Sequence, residues 1–308
     1  MSHDVIDTLT SAPLIGKAAD LLGDAVKDAY ASGGEEGLRI KNALNGVWLG
    51  HPLHPALTDV PLGAWTAAIV LDAAHVATGR DDVAGCAGAA VAVGIAGAVA
   101  AAAAGVTDWS DTDGRSRRIG FVHGMLNLTA TGLFAVSLAM RRSGRGRGRL
   151  AALFGYAAAL GAAYLGGELV YGRRIGVNHA PGLEIKEFTR VLTLSDLAER
   201  QLKRAVIAST PMLLAREGEA VRAIAETCSH LGGPLSEGTL KDGAVVCPWH
   251  GSCFALADGH VVNGPATHAQ PCYEARVRDG QIELRMPRQE ETPAVGGVTA
   301  IESRPAAS

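Results

Sequence analysis

Four side chains in the last third of this 308-residue chain have the types and spacing of a metal centre. Cys228-Ser-His230 is followed, after a gap of sixteen residues, by Cys247-Pro-Trp-His250. Two thiolates and two imidazoles suit a binuclear iron–sulfur cluster with both cysteines on one iron and both histidines on the other, a centre that moves single electrons. A Cys₂His₂ set can also hold structural zinc, but zinc fingers pair cysteine with cysteine and histidine with histidine. Here each stretch carries one of each. Gly232, Gly233 and Gly251 permit tight loops around the four donors, and Pro234, Pro248 and Pro265 stiffen them.

Such loops need a rigid support. From about residue 184 the pattern changes to short β-like runs, clearest at Lys203–Ala208, Val221–Ala225 and Tyr273–Val277. Asp242-Gly243 and Asp279-Gly280 are hairpin turn signals. The expectation is a small all-β domain over 184–287, followed by a disordered tail at 288–308 rich in Glu, Pro, Ala and Ser. Cys253 and Cys272 read as small buried hydrophobes in that domain, and Cys86 as one in an apolar helix. An odd cysteine count gives no disulfide framework.

Residues 184–287 resemble a Rieske domain of the ferredoxin-like branch. The resemblance implies that Cys228 and Cys247 hold one iron and that His230 and His250 hold the other, with their free nitrogens facing solvent as the docking point. The cytochrome bc-type branch adds one cysteine to each loop as a disulfide brace. Gly233 and Trp249 stand in the corresponding loops here, so that brace is absent. Ser252 takes the place of a serine that can donate to a bridging sulfide, and Phe254 lies where the high-potential branch uses a tyrosine hydroxyl. Fewer donors to the sulfurs imply a potential toward the low end of a range of roughly −150 to +300 mV. A Rieske oxygenase would need a mononuclear iron site on a large downstream domain, and about twenty tail residues without a histidine do not supply one.

The first two thirds of the chain read differently. Overall composition is ordinary, 48% hydrophobic and 19% charged with net charge −3, but charge is scarce between residues 56 and 172. No long basic stripe points to nucleic acid. Residues 1–50 hold two amphipathic stretches, at 11–30 and 37–49, that suit a membrane surface, with Trp48 as an interface anchor. Four apolar segments follow at about 56–77, 83–106, 119–140 and 150–172, each near the ~20 residues a spanning helix needs. The fold class expected is therefore a multidomain membrane protein, a four-transmembrane-helix bundle over 51–180 joined to a small all-β Rieske domain. Basic residues at the helix ends, among them Arg145 and Arg147 of the RRSGRGRGR loop, leave orientation open. With no basic-then-apolar leader, both termini and the Rieske domain are expected on the cytoplasmic side of a bacterial-type inner membrane.

His51-Pro-Leu-His54-Pro followed by Asp59, with Thr107-Asp108-Trp109, His123, Asn127 and Asn178-His179, is similar to an uncharacterised bacterial membrane-domain family of four helices. The resemblance implies a fold and no activity. Topology brings His51, His54, Asp59, His123, Glu168 and His179 to the membrane face that carries the Rieske domain, and ionisable groups at membrane depth are costly and usually functional. Three readings compete: a hydrogen-bonded network closing the bundle, a b-type haem held by two histidines such as His54 and His123, and a quinone or non-haem metal site. The leading function is a membrane-anchored carrier exchanging one electron between a soluble donor and a membrane-side partner, with redox proteins and membrane lipid as its partners. The alternatives are a membrane quinone or metal reductase with a second centre in the bundle, and a redox-sensing or scaffolding subunit of a larger complex.

Overall fold

The computed structural model describes residues 6, 10–143 and 148–287. Arg145, Arg147 and the expected tail at 288–308 lie outside the described residues. Two helices come first, α1 (Pro13–Ser32) and α2 (Gly34–Asn45), then a 3₁₀ turn at Val47–Leu49. Pro13 opens α1 where a missing N–H costs nothing. Gly46, at φ 87°, closes α2 with a backbone conformation that side chains resist.

Helix α1 meets the rest of the molecule through small residues. Ala19 and Gly23 are buried, while Leu14 and Leu21 remain 80% and 75% exposed. An apolar edge left outward is what a helix at the lipid interface presents. Its anchor is Arg117, whose Nη1 donates to Asp24 at 3.1 Å and whose Nε donates to the Thr112 carbonyl at 2.7 Å. Gly23 lets the helix sit on that guanidinium, since a Cβ there would lie 3.2 Å from Arg117 Cζ. Replacing Arg117 with methionine removes the anchor and leaves Asp20 and Asp24 with no cation beneath them. The expected result is faster tryptic cleavage at Lys17 and Lys27 with the other helices still protected. Unchanged cleavage would mean that apolar contacts alone hold α1.

Four helices long and apolar enough to cross a membrane follow. They are α3 (Leu53–Thr78), α4 (Asp81–Ser110), α5 (Gly114–Arg142) and α6 (Gly148–Gly167), the last continuing as a π-helical turn at Glu168–Gly172. Terminal charges that suit the helix dipole flank two of them. Asp81 and Asp82 occupy the first turn of α4, and Arg141 and Arg142 the last turn of α5.

The four helices form two equivalent hairpins, α3–α4 and α5–α6. Across the bundle, α3 faces α5 in the same direction and at one constant sequence offset: His54 meets His123, Trp65 stacks on Phe134 at 4.2 Å, and Asp72 pairs with Arg141. Within each hairpin the partners also correspond. His54 Nδ1 bonds to the Ala101 carbonyl and His123 Nδ1 to that of Ala162, both at 2.8 Å. Gly94 receives the Trp65 ring and Gly155 the Phe134 ring. The buried positions match too, Pro61, Trp65 and Ala68 with Ala130, Phe134 and Ser137, and Val91, Gly94 and Ala101 with Ala152, Gly155 and Ala162. This is a parallel internal repeat about an axis along the bundle. Over 54–72 and 123–141 the two copies share only His54/His123, Leu57/Leu126 and Gly63/Gly132, so the duplication is plain in the packing and faint in the sequence.

The β half begins after a linker. Its strands are β1 (Thr189–Thr193), β2 (Leu202–Ile207), β3 (Thr210–Glu217), β4 (Ala220–Ala225), β5 (Thr239–Lys241), β6 (Ala244–Val246), β7 (Cys253–Ala255), β8 (Val261–Asn263), β9 (Cys272–Arg278) and β10 (Gln281–Arg285). They form two sheets of order β1-β10-β9-β4-β3-β2 and β5-β6-β7-β8. The strands that matter for the site are β4, β6, β7 and β8. Both Asp-Gly turns form as expected, with Asp242, Gly243, Asp279 and Gly280 all at positive φ. A further hairpin turns at Ala208-Ser209, also at positive φ, with no residue there that advertises it.

The β half rests on the helical half at the membrane face where α3 and α5 begin. Asn42 of α2 donates to Asn263 Oδ1 and accepts from the Gly264 N–H, both at 2.9 Å. Lys41 pairs at 2.8 Å with buried Asp111, in the turn between α4 and α5. The linker backbone joins in through His179 N–H to the Ser229 carbonyl at 3.0 Å.

Candidate metal centre

Two loops of the same design carry the four donors. The first leaves β4, with Thr227 bridged to Pro234, and the second joins β6 to β7. In each the cysteine backbone closes a ring. Cys228 N–H donates to the Gly233 carbonyl at 2.8 Å and Cys247 N–H to the Ser252 carbonyl at 2.8 Å, while Gly232 and Gly251 donate back to the two cysteine carbonyls. Gly232 and Gly251 stand at φ 82° and 76°, which an L side chain would resist. A third segment straps the loops together. Ala266 N–H donates to Ser252 Oγ at 3.0 Å, and Ser229 Oγ donates to the His268 carbonyl at 2.6 Å.

Cys228 and Cys247 are buried with Phe254, Leu235 and Val245 in one apolar cluster. The Cys228 thiol and the Trp249 and His250 backbone N–H groups hydrogen-bond Cys247 and lower its pKa, while the bond to Cys247 and burial raise that of Cys228. A thiolate is the form that binds metal. The histidines face each other at 5.1 Å between ring centroids and 87° between planes. A metal–nitrogen bond of ~2 Å, with the imidazole centroid ~1.2 Å farther out, puts two rings on one tetrahedral ion about 5.2 Å apart. Burial and neighbouring His250 push His230 down to about 3, so it is the neutral imidazole that a metal needs. His230 Nδ1 is buried without a hydrogen-bond partner, a cost of about 1–3 kcal/mol that coordination would remove. Among the described residues no three His, Cys, Asp or Glu side chains converge on a single ion. The donors come as two pairs, and on every one of these points they fit a two-iron cluster.

Around the pairs, Trp249 is 56% exposed and covers Gly233. Phe254 packs in the core beneath, and the Ser252 hydroxyl, which accepts from the Ala266 N–H through its oxygen, has its proton to offer another acceptor. The histidine edge does not open freely to solvent as expected from sequence. Both rings are half-buried. Lys41 and His179 act electrostatically on His230, and Asp111, Lys27, Asp113 and Lys41 on His250. The docked rim of the helical half causes this, and residues 26 to 45, read from sequence only as an amphipathic surface, supply part of it.

The six membrane-face residues do not form one group. His54 and His123 come together, 6.3 Å between centroids. His51 is exposed and turns to its neighbour's carbonyl, Asp59 is exposed on the outside of α3, and Glu168 pairs with Arg173 at 3.5 Å. His179 belongs to the cluster loops, with Nε2 on the Arg174 carbonyl and its ring near Gly232. Sequence reading missed Lys41, Asn42 and Asp111, which no motif marks.

Residues 187–274 match the Rieske [2Fe-2S] domain and residues 50–179 match a predicted membrane protein family, DUF2231. The chain belongs to the Rieske [2Fe–2S] family, with its Rieske domain joined to a DUF2231 membrane domain. It is 30% identical over 94 residues to ferredoxin CarAc of Metapseudomonas resinovorans, which is 30% of this chain and 88% of that one. It is also 30% identical over 93 residues to the anthranilate 1,2-dioxygenase ferredoxin subunit of Burkholderia cepacia, 30% of this chain and 86% of that protein. Mouse apoptosis-inducing factor 3 is 27% identical over 99 residues, 32% of this chain, but the match spans only 16% of that protein's length. The Rieske half is thus related to electron-transfer ferredoxins of dioxygenase systems, and a Rieske domain implies a [2Fe–2S] cluster.

Proposed function

We propose that the chain is a membrane-anchored one-electron carrier whose Cys228 and Cys247 hold one iron of a [2Fe–2S] cluster and whose His230 and His250 hold the other. The observation that carries this is the buried, unpartnered Nδ1 of His230 beside His250 on paired cysteine loops. When bound, the cluster accepts and releases single electrons. The chain's residues set the conditions: the thiolate pair sits in an apolar pocket, Ser252 offers one hydroxyl proton, and Phe254 offers none. This favours a low potential within the Rieske range.

The histidine edge lies at the rim of the helical half, which supports exchange with a partner docked at the membrane surface or within the bundle. A soluble donor, such as a reductase of the class that serves ferredoxins, would approach over exposed Trp249. In this reading the division falls at 51–180 for the membrane domain and 184–287 for the Rieske domain, in a bacterial-type inner membrane with the Rieske domain on the cytoplasmic side. The alternative, a reductase with a second, haem centre in the bundle, has the His54–His123 pair in its favour.

The test is the electron paramagnetic resonance spectrum of detergent-purified, dithionite-reduced full chain. A signal with average g below the free-electron value and two non-haem irons per chain is expected of a half-histidine cluster. Zinc at one per chain, with no signal in protein made and kept anaerobically, would sink the reading.

A further inference from the structure

The internal repeat gives the helical half a second site. His54 and His123 occupy equivalent positions on α3 and α5, on either side of the axis that relates the two hairpins. Each ring is fixed by the second helix of its own hairpin. A carbonyl oxygen can only accept, so the bonds to Ala101 and Ala162 put the proton of each ring on Nδ1. Both Nε2 atoms are then lone pairs. A metal-binding histidine is held in this way, its other N–H committed to a carbonyl that sets tautomer and orientation.

The separation selects the ligand geometry. With metal–nitrogen bonds of ~2 Å, two imidazoles opposed across one ion have centroids about 6.3 Å apart, against about 5.2 Å at a tetrahedral angle. The bundle pair stands at 6.3 Å with planes at 88°, and the cluster pair at 5.1 Å. Opposed imidazoles leave the ion's equatorial plane to another ligand. Small residues border the rings: a Cβ on Gly105 would lie 2.7 Å from His54 Cε1, and one on Gly166 3.3 Å from His123 Cε1. A quinone's carbonyls need donors, which these two nitrogens are not. We propose that His54 and His123 would hold a haem iron between the two hairpins, at the membrane face beneath the Rieske domain.

One contact competes with that ligand. Asn127 Nδ2 donates to His123 Nε2 at 3.0 Å and to the His123 carbonyl at 3.1 Å. The equivalent position on α3 is Thr58, which bonds to the Pro55 carbonyl instead. Iron binding requires Asn127 to release Nε2 and keep the carbonyl. Asn127→Ala should therefore bind added haemin at least as tightly as the native chain.

The experiment uses the full chain, expressed with added iron and a haem precursor and purified in detergent. A sharp α-band in the reduced-minus-oxidised spectrum and about one haem per chain by pyridine haemochrome are expected. His54→Ala and His123→Ala should each lose the band while the Rieske paramagnetic signal remains, and added imidazole should restore part of it. A native chain with its full cluster that yields no haemochrome and takes up no added haemin overturns the proposal. So does a band that survives both substitutions, or a bare transition metal found in place of haem. The two sites are read separately, since a missing Rieske signal beside an intact α-band would fail the cluster and not the haem.

Discussion

Gly233→Ala is expected to empty the cluster site without unfolding the domain. A Cβ there would lie 2.9 Å from Cys247 Sγ and 3.0 Å from the Trp249 ring. Trp249 is exposed and can move aside, but Cys247 is 3% exposed and anchored by its own loop hydrogen bond. The methyl group therefore presses on a sulfur that must stay within bonding distance of iron. The expected outcome is at least a several-fold fall in iron per purified chain and in the reduced paramagnetic signal. The far-ultraviolet circular dichroism of the chain should not change. Gly251→Ala is the control. Its φ of 76° makes alanine cost about 1–2 kcal/mol of backbone strain, but nothing lies within 4 Å of its Cβ. Gly251→Ala should lower thermal stability and retain iron. If both variants keep the cluster equally, the space beside Cys247 is not what Gly233 provides.

The cluster loops were legible in sequence because a metal centre dictates residue type and spacing together. Cys228, His230, Cys247 and His250 could be read without a fold, and the four spanning helices from length and apolarity alone. The setting of the site was not legible. Asn42 reaches the β half through two polar contacts, and Lys41 and Asp111 pair with each other on the same rim, all between residues far apart in the chain, and no local pattern encodes a docking surface. The six membrane-face residues show the other limit. Topology correctly said which end of each helix they occupy, but helix rotation decided which of them meet. His54 and His123 point across the bundle, whereas Asp59, five residues after His54, falls on the outside. The repeat escaped because its signature is burial. Pro61 matches Ala130, and Ala68 matches Ser137, pairs alike in size constraint and unlike in name.

The repeat also explains the one place where the two halves must differ. Equivalent positions on α3 and α5 face each other across the axis, so an identical charged residue in both copies would bury two like charges. At the far end of the bundle that conflict is resolved by opposites: Arg141 Nη1 donates to Asp72 Oδ1 at 2.7 Å, Nη2 bonds to the other oxygen, and the two side chains are 14% and 9% exposed. Removing Arg141 leaves Asp72 only the longer pair to Arg149 Nε at 3.9 Å, and breaking a buried pair costs about 3–5 kcal/mol. Arg141→Met should lower detergent unfolding stability by about that amount, and Asp72→Arg, which sets two guanidiniums together, by at least as much. Because the positions are related by the axis, the double exchange Asp72→Arg with Arg141→Asp should recover most of the loss. It should stay short by at least about 1 kcal/mol: Arg141 Nε also donates to Ser137 Oγ at 3.1 Å, the equivalent of Ser137 on α3 is Ala68, and an arginine at 72 meets Arg149, which now pairs with Asp72 at 3.9 Å. Equal instability of the exchanged and single variants would show that the ends of α3 and α5 are not interchangeable, and would weaken the symmetric placement of His54 and His123 as well.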